Sequence, residues 1–232
     1  SAQTLGPPRD AEFGVISDRD DTVIQTGATD VIRMVRATIF GNARTRIPFA
    51  GVAAFYAALQ GGSTGTAFNP IFYVSSSPWN LYDVIEQFMA LQKIPMGPTL
   101  LRDWGMSLER IPLSHSSHKL TSIREIMTTY ADQRFILIGD SGQEDPEIYR
   151  EIVREYPQRI ICCYIRNVTP FGTRGERLKQ IVEDVAAAGS EMVIVKDTNA
   201  AAQHAAAKNY IIEAALPEIA REETQVENSP SE

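Results

Sequence analysis

Three carboxylates crowd the end of a short apolar run near the start of the chain. The run Phe13–Ile16 is followed closely by Asp18, Asp20 and Asp21. Like charges this close repel one another and are costly to remove from water, so a bound cation would relieve them. Parallel α/β sheets bind ligands at the carboxyl ends of their strands. The stretch indicates a Mg²⁺-dependent phosphoryl-transfer site or, as an equally open alternative, a solvated acidic turn after a core strand.

A second acid cluster follows the apolar run Phe135–Ile138. Asp145 precedes Pro146, which suits the N-cap and the first residue of a helix, so capping accounts for Asp145 without any function. Capping does not account for Asp140, which comes almost directly after the strand. Asp140 is therefore the stronger candidate for a functional carboxylate.

Hydroxyl groups and a lysine occur at two further junctions. Ser75 and Ser76 follow a predicted strand and precede a predicted helix start, which is a natural seat for a phosphate, although simple capping remains an alternative for the neighbouring Ser77. Lys119 opens a helix predicted to run to about residue 130, after a loop over 102–118. A helix dipole disfavours a cation at its first turn, so a lysine that reaches a phosphate would explain this placement.

The elements that must position these residues alternate between strands and helices along the chain. This alternation predicts an α/β fold with a doubly wound parallel sheet. Strands are predicted at 13–16, 70–74, 98–101, 135–138, 159–165 and 192–195, and helices at 28–40, 48–59, from 78, 119–130, from 146, 175–188 and from 198. We further predict a linker over 1–12, a catalytic domain over 13–212 and an acidic, disordered tail over 213–232.

Composition excludes several functional classes. The chain has 232 residues, 44% of them hydrophobic, and a net charge of -7, which argues against nucleic-acid binding. It has no apolar stretch of membrane-spanning length, and its start does not resemble a signal peptide, so we expect a cytoplasmic location. Cys162 and Cys163 lie in an apolar run and are expected to be buried thiols. The three histidines show no zinc-ligand spacing.

The order of the motifs resembles that of the haloacid dehalogenase-like phosphohydrolases. An Asp-x-Asp-x-Thr stretch, a serine, a lysine and a Gly-Asp-x₄-Asp stretch follow one another at predicted strand ends or helix starts. The wider motifs are similar to the catalytic domain of the actin-patch-type, lipin-related phosphatidate phosphatases and their bacterial relatives. The residues that carry this resemblance are 17–22, 42–49, 73–80, 117–119 and 138–146.

The resemblance implies roles for the catalytic residues. Asp18 is expected to be the nucleophile that forms an aspartyl-phosphate, and Asp20 the general acid and base. Ser75 and Lys119 are expected to hold the phosphoryl oxygens. The cofactor is expected to be Mg²⁺, with four acidic residues as its ligands. These ligands are Asp18, Asp20 through its backbone carbonyl, Asp140 and Asp145, which is also expected to orient Lys119 or metal-bound water.

The implied reaction is the hydrolysis of phosphatidate to diacylglycerol and phosphate. The segment after the first motif is too short for a large cap domain, so we expect an open site that accepts a head group from a membrane. Four residues are expected to contact the substrate: Thr22, Ser76, Arg44 and Arg46. The arginine-rich segment 31–47 is either a membrane-facing patch that gives a peripheral contact with membranes or an ordinary solvated helix face, and both interpretations stay open.

Two other functions use the same residues. A related phosphatase of a soluble phosphomonoester would have the same site and differ only in its substrate. A non-catalytic module that binds lipid head groups would need no acid/base pair, so the presence of both Asp18 and Asp20 argues against it. The sequence makes no prediction of the oligomeric state.

Overall fold

A six-stranded parallel sheet forms the centre of the protein. The computed structural model describes residues 11–18, 51–79, 82–102, 115–168 and 174–227. Neighbouring strands are all parallel, in the order β3-β2-β1-β4-β5-β6. The strands are β1 (Gly14–Asp18), β2 (Ile71–Pro78), β3 (Thr99–Arg102), β4 (Phe135–Asp140), β5 (Ile160–Arg166) and β6 (Met192–Val195).

Helices alternate with the strands along the chain and cover both faces of the sheet. The prediction of a doubly wound parallel sheet is therefore confirmed, and the residues that the structure describes include no separate cap domain. The predicted helix over 28–40 lies outside the described residues. The helices are α1 (Val52–Gly61), α2 (Tyr82–Leu91), α3 (His115–Thr129), α4 (Asp145–Glu155), α5 (Arg174–Ala187), α6 (Thr198–Ala207) and α7 (Leu216–Glu227), with 3₁₀ turns at Gly62–Thr64 and Glu213–Ala215.

Two hydrophobic cores lie on opposite faces of the sheet. Successive side chains of a strand point to opposite faces, so Val15 belongs to one core and Ile16 to the other. The adjacent cysteines divide in the same way, because Cys162 packs in the first core and Cys163 in the second. Both thiols are buried and unbridged, as the apolar run predicted.

The acidic C-terminal segment differs from its prediction. Residues 216–227 form helix α7, so the expected disorder is wrong for this part of the segment. Ile219 is completely buried in the first core. Two glutamates accept hydrogen bonds from other helices: Glu222 from the Ala54 backbone N–H in α1 at 3.1 Å, and Glu223 from that of Thr198 in α6 at 3.1 Å. The acids that suggested disorder therefore partner otherwise unsatisfied amides at helix N-termini.

Helix α3 also starts earlier than its sequence pattern indicated. It begins at His115, inside the span predicted to be a loop. Lys119 therefore lies in the second turn of α3 and not at its first residue. No helix among the described residues combines the length and the hydrophobicity needed to cross a bilayer.

Candidate active site

Two central strands bring the first pair of acids to one edge of the sheet. Strands β1 and β4 lie side by side in parallel, and Asp18 and Asp140 are their last residues. Their shared direction places both carboxylates at the carboxyl edge, where parallel sheets bind ligands. The side chain of Asp18 is only 5% exposed. Asp18 and Asp140, one from each acid cluster, therefore lie at the same edge of the sheet.

Lys119 joins this edge from helix α3. Its ammonium nitrogen donates to Asp18 Oδ2 at 2.8 Å, to Asp145 Oδ1 at 2.9 Å and to Gln143 Oε1 at 3.2 Å. An ammonium group has three donors, and these contacts offer it three acceptors. The lysine side chain is 3% exposed, so these are charge-assisted contacts in a site shielded from water. Lys119 therefore links the two acid clusters directly.

Asp145, one of these three acceptors, is completely buried. Its Oδ2 accepts a hydrogen bond from the Asp140 backbone N–H at 2.9 Å, while its Oδ1 accepts from Lys119. The predicted N-cap role is wrong, because Glu144 holds the N-cap position and Asp145 is the first residue of α4. The side chain turns into the site because a buried ammonium and a strand amide are available there as donors.

Two glycines give the acids room. A Cβ atom on Gly139 would lie 2.5 Å from Asp145 Oδ2, closer than real contacts allow. A Cβ atom on Gly142 would lie 2.9 Å from Asp140 Oδ1. Without a side chain, Gly142 donates its backbone N–H to that same oxygen at 2.6 Å. The site therefore has no room for a side chain at either glycine of the Gly-Asp-Ser-Gly-Gln stretch.

The loop after β4 is tied to the neighbouring strand by Ser141. Its backbone N–H donates to the Arg166 carbonyl at 2.9 Å, and its hydroxyl accepts from the Val168 N–H at 3.0 Å. Ser141 is buried. The loop that follows Asp140 and carries Gln143 is consequently tied to the end of β5.

The electrostatics of the site suit a cation. Burial and then the charge of Asp145 raise the pKa of the Asp140 carboxyl, while the Gly142 N–H and Lys119 act in the opposite direction. Asp18, Asp140 and Asp145 each place a carboxylate oxygen within 4.8 Å of the others. Three carboxylates face one ammonium group, and carboxylate oxygens are the ligands that Mg²⁺ prefers. The residues present therefore fit the predicted cofactor.

The other predicted site residues divide into two groups. Ser75 is buried in β2, one position beyond Val74, which pairs with Asp18, so it lies at the same edge. The backbone of Ser76 continues β2, and its side chain lies outside the described structure. Four predicted site residues lie outside the described ranges altogether: Asp20, Thr22, Arg44 and Arg46.

Sequence reasoning did not assign two further contacts. Gln143 accepts from Lys119, and its place between Asp140 and Asp145 was the available signal. Ser17 Oγ and Tyr56 Oη lie 2.6 Å apart in a buried hydrogen bond that fastens the end of β1 to helix α1. Nothing in the sequence pairs these two, because they belong to separate elements.

The part of the chain that carries this site is similar to known proteins. The sequence profile described as "Phosphatidate phosphatase APP1, catalytic domain" matches residues 13–167, which include every site residue that the structure describes. Phosphatidate phosphatase APP1 of Saccharomyces cerevisiae is 32% identical over 155 residues, which are 66% of this chain and 26% of that protein. An uncharacterized protein of Schizosaccharomyces pombe is 29% identical over 157 residues, which are 67% of this chain and 25% of that protein.

The chain spans about a quarter of the length of these two relatives. No solved structure matches the chain. The matched profile nevertheless covers well over half of the chain, and it confirms the resemblance that the motifs indicated. The chain belongs to the family of phosphatidate phosphatase APP1 catalytic domains.

Proposed function

We propose that this chain is a Mg²⁺-dependent phosphatidate phosphatase, which hydrolyses phosphatidate to diacylglycerol and phosphate. One observation carries the proposal. The buried ammonium group of Lys119 forms ion pairs with both Asp18, at the end of β1, and Asp145, at the start of α4. A cation held between strand-end carboxylates is an arrangement suited to receive a phosphate group. The name of the yeast relative supports phosphatidate as the substrate.

Asp18 acts as the nucleophile in this proposal. An oxygen of its carboxylate attacks the phosphorus atom, and the bond from phosphorus to the diacylglycerol oxygen breaks. Asp20 gives its proton to the departing oxygen and then accepts a proton from the water that hydrolyses the aspartyl-phosphate. Lys119 restrains Asp18 at 2.8 Å and offers positive charge to the phosphoryl oxygens, which Ser75 also contacts.

Asp145 acts as the positioning residue for Lys119. Both of its oxygens already accept hydrogen bonds from the protein, and its side chain has no exposure to solvent. The cation would be held by Asp18, Asp140 and the backbone carbonyl of Asp20, with Asp145 close by. When bound, Mg²⁺ offsets the repulsion between the anionic phosphate and the anionic nucleophile.

Exposed apolar side chains at the same edge support a substrate presented by a membrane. Trp79, directly after β2, is 60% exposed and stacks on Tyr82 with 5.1 Å between ring centroids. Val168, just after β5, is 47% exposed. Tryptophan and tyrosine favour the interface between water and lipid. We propose that these side chains touch the lipid surface while the head group enters the site.

The chemistry is tested by phosphate release from phosphatidate in detergent mixed micelles, with and without Mg²⁺, beside the soluble ester glycerol 3-phosphate. We expect Mg²⁺-dependent release that favours the lipid, and a decrease in kcat of roughly 10⁴-fold or more in Asp18→Asn. Release from the soluble ester alone would mean that the protein is a phosphatase but that phosphatidate is not its substrate. If neither ester is hydrolysed but phosphatidate vesicles still bind, the protein is a head-group-binding module.

The membrane contact is tested separately with Trp79→Ser. We expect weaker binding to phosphatidate-containing vesicles and a higher KM in micelles, with unchanged hydrolysis of any soluble ester that the protein accepts. Phe68→Ser is the matched control, because Phe68 is 71% exposed and lies before the amino end of β2. Equal effects of the two substitutions would contradict a contact at the carboxyl edge.

A further inference from the structure

A second cluster of metal-binding side chains lies away from the proposed active site. Cys162 comes from the amino-terminal half of β5, Glu191 directly precedes β6, and His204 lies in the last turn of α6. One ligand atom of each residue lies within 4.8 Å of the other two. Strands β5 and β6 run parallel to β4, so this cluster is near the end of the sheet opposite the edge that holds Asp140.

The chemistry of this cluster differs from that of the acid cluster. A thiol, an imidazole and a carboxylate together suit zinc, whereas Mg²⁺ prefers oxygen ligands alone. His204 Nε2 and Glu191 Oε1 are 3.3 Å apart. Two ligands at zinc bond lengths of about 2.0–2.1 Å with tetrahedral angles are separated by about 3.4 Å. The imidazole and the carboxylate therefore already have the spacing of two zinc ligands.

Tyr164 orients the imidazole from its other side. Its hydroxyl lies 2.9 Å from His204 Nδ1. When Nδ1 donates to the Tyr164 oxygen, Nε2 keeps a lone pair that a metal ion can accept. Zinc-bound histidines commonly use their second nitrogen in such a supporting hydrogen bond.

Lys208 fixes the carboxylate without occupying the oxygen that faces the imidazole. Its ammonium nitrogen lies 2.9 Å from Glu191 Oε2, while Oε1 is the atom nearest His204. The Glu191 side chain is 40% exposed and that of His204 is 21% exposed, so a cation can enter from solvent although Cys162 is fully buried.

We propose that Cys162, Glu191 and His204 bind Zn²⁺, with Tyr164 as the positioning residue of His204. Burial raises the pKa of Cys162 to about 12, so the thiol carries its proton in the metal-free protein at neutral pH. Binding forms the zinc–sulfur bond, breaks the S–H bond and releases the proton to water. Water completes the coordination. The site joins β5, the start of β6 and α6, so we assign it a stabilising role that is independent of the proposed phosphatase chemistry.

The experiment uses the full chain, stripped of metal by a chelator that is then removed. Co²⁺ is added as a spectroscopic substitute for zinc, with excess Mg²⁺ present to occupy the acid cluster. We expect a thiolate-to-cobalt charge-transfer absorption that Cys162→Ser abolishes and Cys163→Ser retains. Cys163 is the matched control, because it is the adjacent, equally buried thiol on the opposite face of the sheet. Zinc should displace the cobalt.

A partly exposed ligand provides a second variant in case the Cys162→Ser protein does not fold. His204→Gln should remove the cobalt absorption and the rise in Tm that zinc produces in the wild type. Tyr164→Phe should retain binding and lower the zinc affinity by about 10-fold, as expected for a group that orients a ligand.

Three results would overturn the proposal. The first is that the stripped wild type binds no zinc. The second is that cobalt absorption is unchanged in both Cys162→Ser and His204→Gln. The third is that zinc binding is lost in Asp140→Asn but kept in His204→Gln, which would place the metal at the acid cluster instead.

Discussion

Lys119 donates a 2.9 Å hydrogen bond to Asp145 across the gap between helix α3 and the start of helix α4. The two side chains are 3% and 0% exposed, so this ion pair lies in the interior of the protein. A buried charge that loses its partner is far more costly than an exposed one. The pair is therefore a structural support of the site as well as a part of its chemistry.

Replacing Asp145 with alanine should lower the free energy of unfolding by about 3 kcal/mol, because it removes a buried acceptor from both Lys119 and the Asp140 N–H. Urea-induced unfolding in the presence of a metal chelator measures this loss. Arg154→Ala is the control, since its ion pair with Asp184 is largely exposed and should change stability much less. Equal losses in the two variants would contradict the structural role of Asp145.

Gly139→Ala should disturb the site through sterics alone. The added methyl group would lie 2.5 Å from Asp145 Oδ2, so the carboxylate must shift and carry Lys119 with it. Because small displacements of catalytic groups are costly, we expect phosphate release to fall by about 10²-fold. The control is Gly175→Ala in helix α5, where a methyl group meets nothing within 4 Å and should add up to about 1 kcal/mol of stability. Full activity in Gly139→Ala would exclude this steric argument.

Alkaline pH should destabilise the protein through Cys163. Burial raises the pKa of this thiol well above its ordinary value, so between the unfolded pKa of about 8.5 and the higher folded value the native state binds more protons than the unfolded state. Stability therefore falls as pH rises through this window. Cys163→Ala should reduce the slope by up to about 1.4 kcal/mol per pH unit. Urea unfolding at several pH values between 8 and 10, with chelator present, tests this; an unchanged slope would count against it.

Helix α7 should contribute measurably to stability. Ile219→Ala removes a completely buried side chain from the first core and should cost about 2–5 kcal/mol. Arg221→Ala, two residues away and 66% exposed, should change stability by about 0.5 kcal/mol or less. Thermal or urea unfolding of both variants separates a packed helix from the disordered tail that the composition indicated.

The strand-end acids could be predicted because their signal is local. Asp18 and Asp140 both follow apolar runs, and the parallel topology then brings them to one edge. The partners of Lys119 could not be predicted from the residues alone. Asp145 precedes a proline, and in the sequence this placement is explained equally well by a helix cap. Helix α7 was missed for a related reason. In the sequence its glutamates suggest a solvated segment, because the N-termini of α1 and α6 that two of them contact are distant in the chain.

The contact between Lys119 and Asp18 joins residues 101 positions apart in the chain. We expect this contact to form late in folding, because its loop-closure entropy is offset only when other native contacts are already present. A partly folded chain therefore offers no assembled pocket to a phosphate or to a cation. Any ligand of this pocket selects fully folded molecules, so its presence should also protect slow-folding variants from proteolysis and degradation.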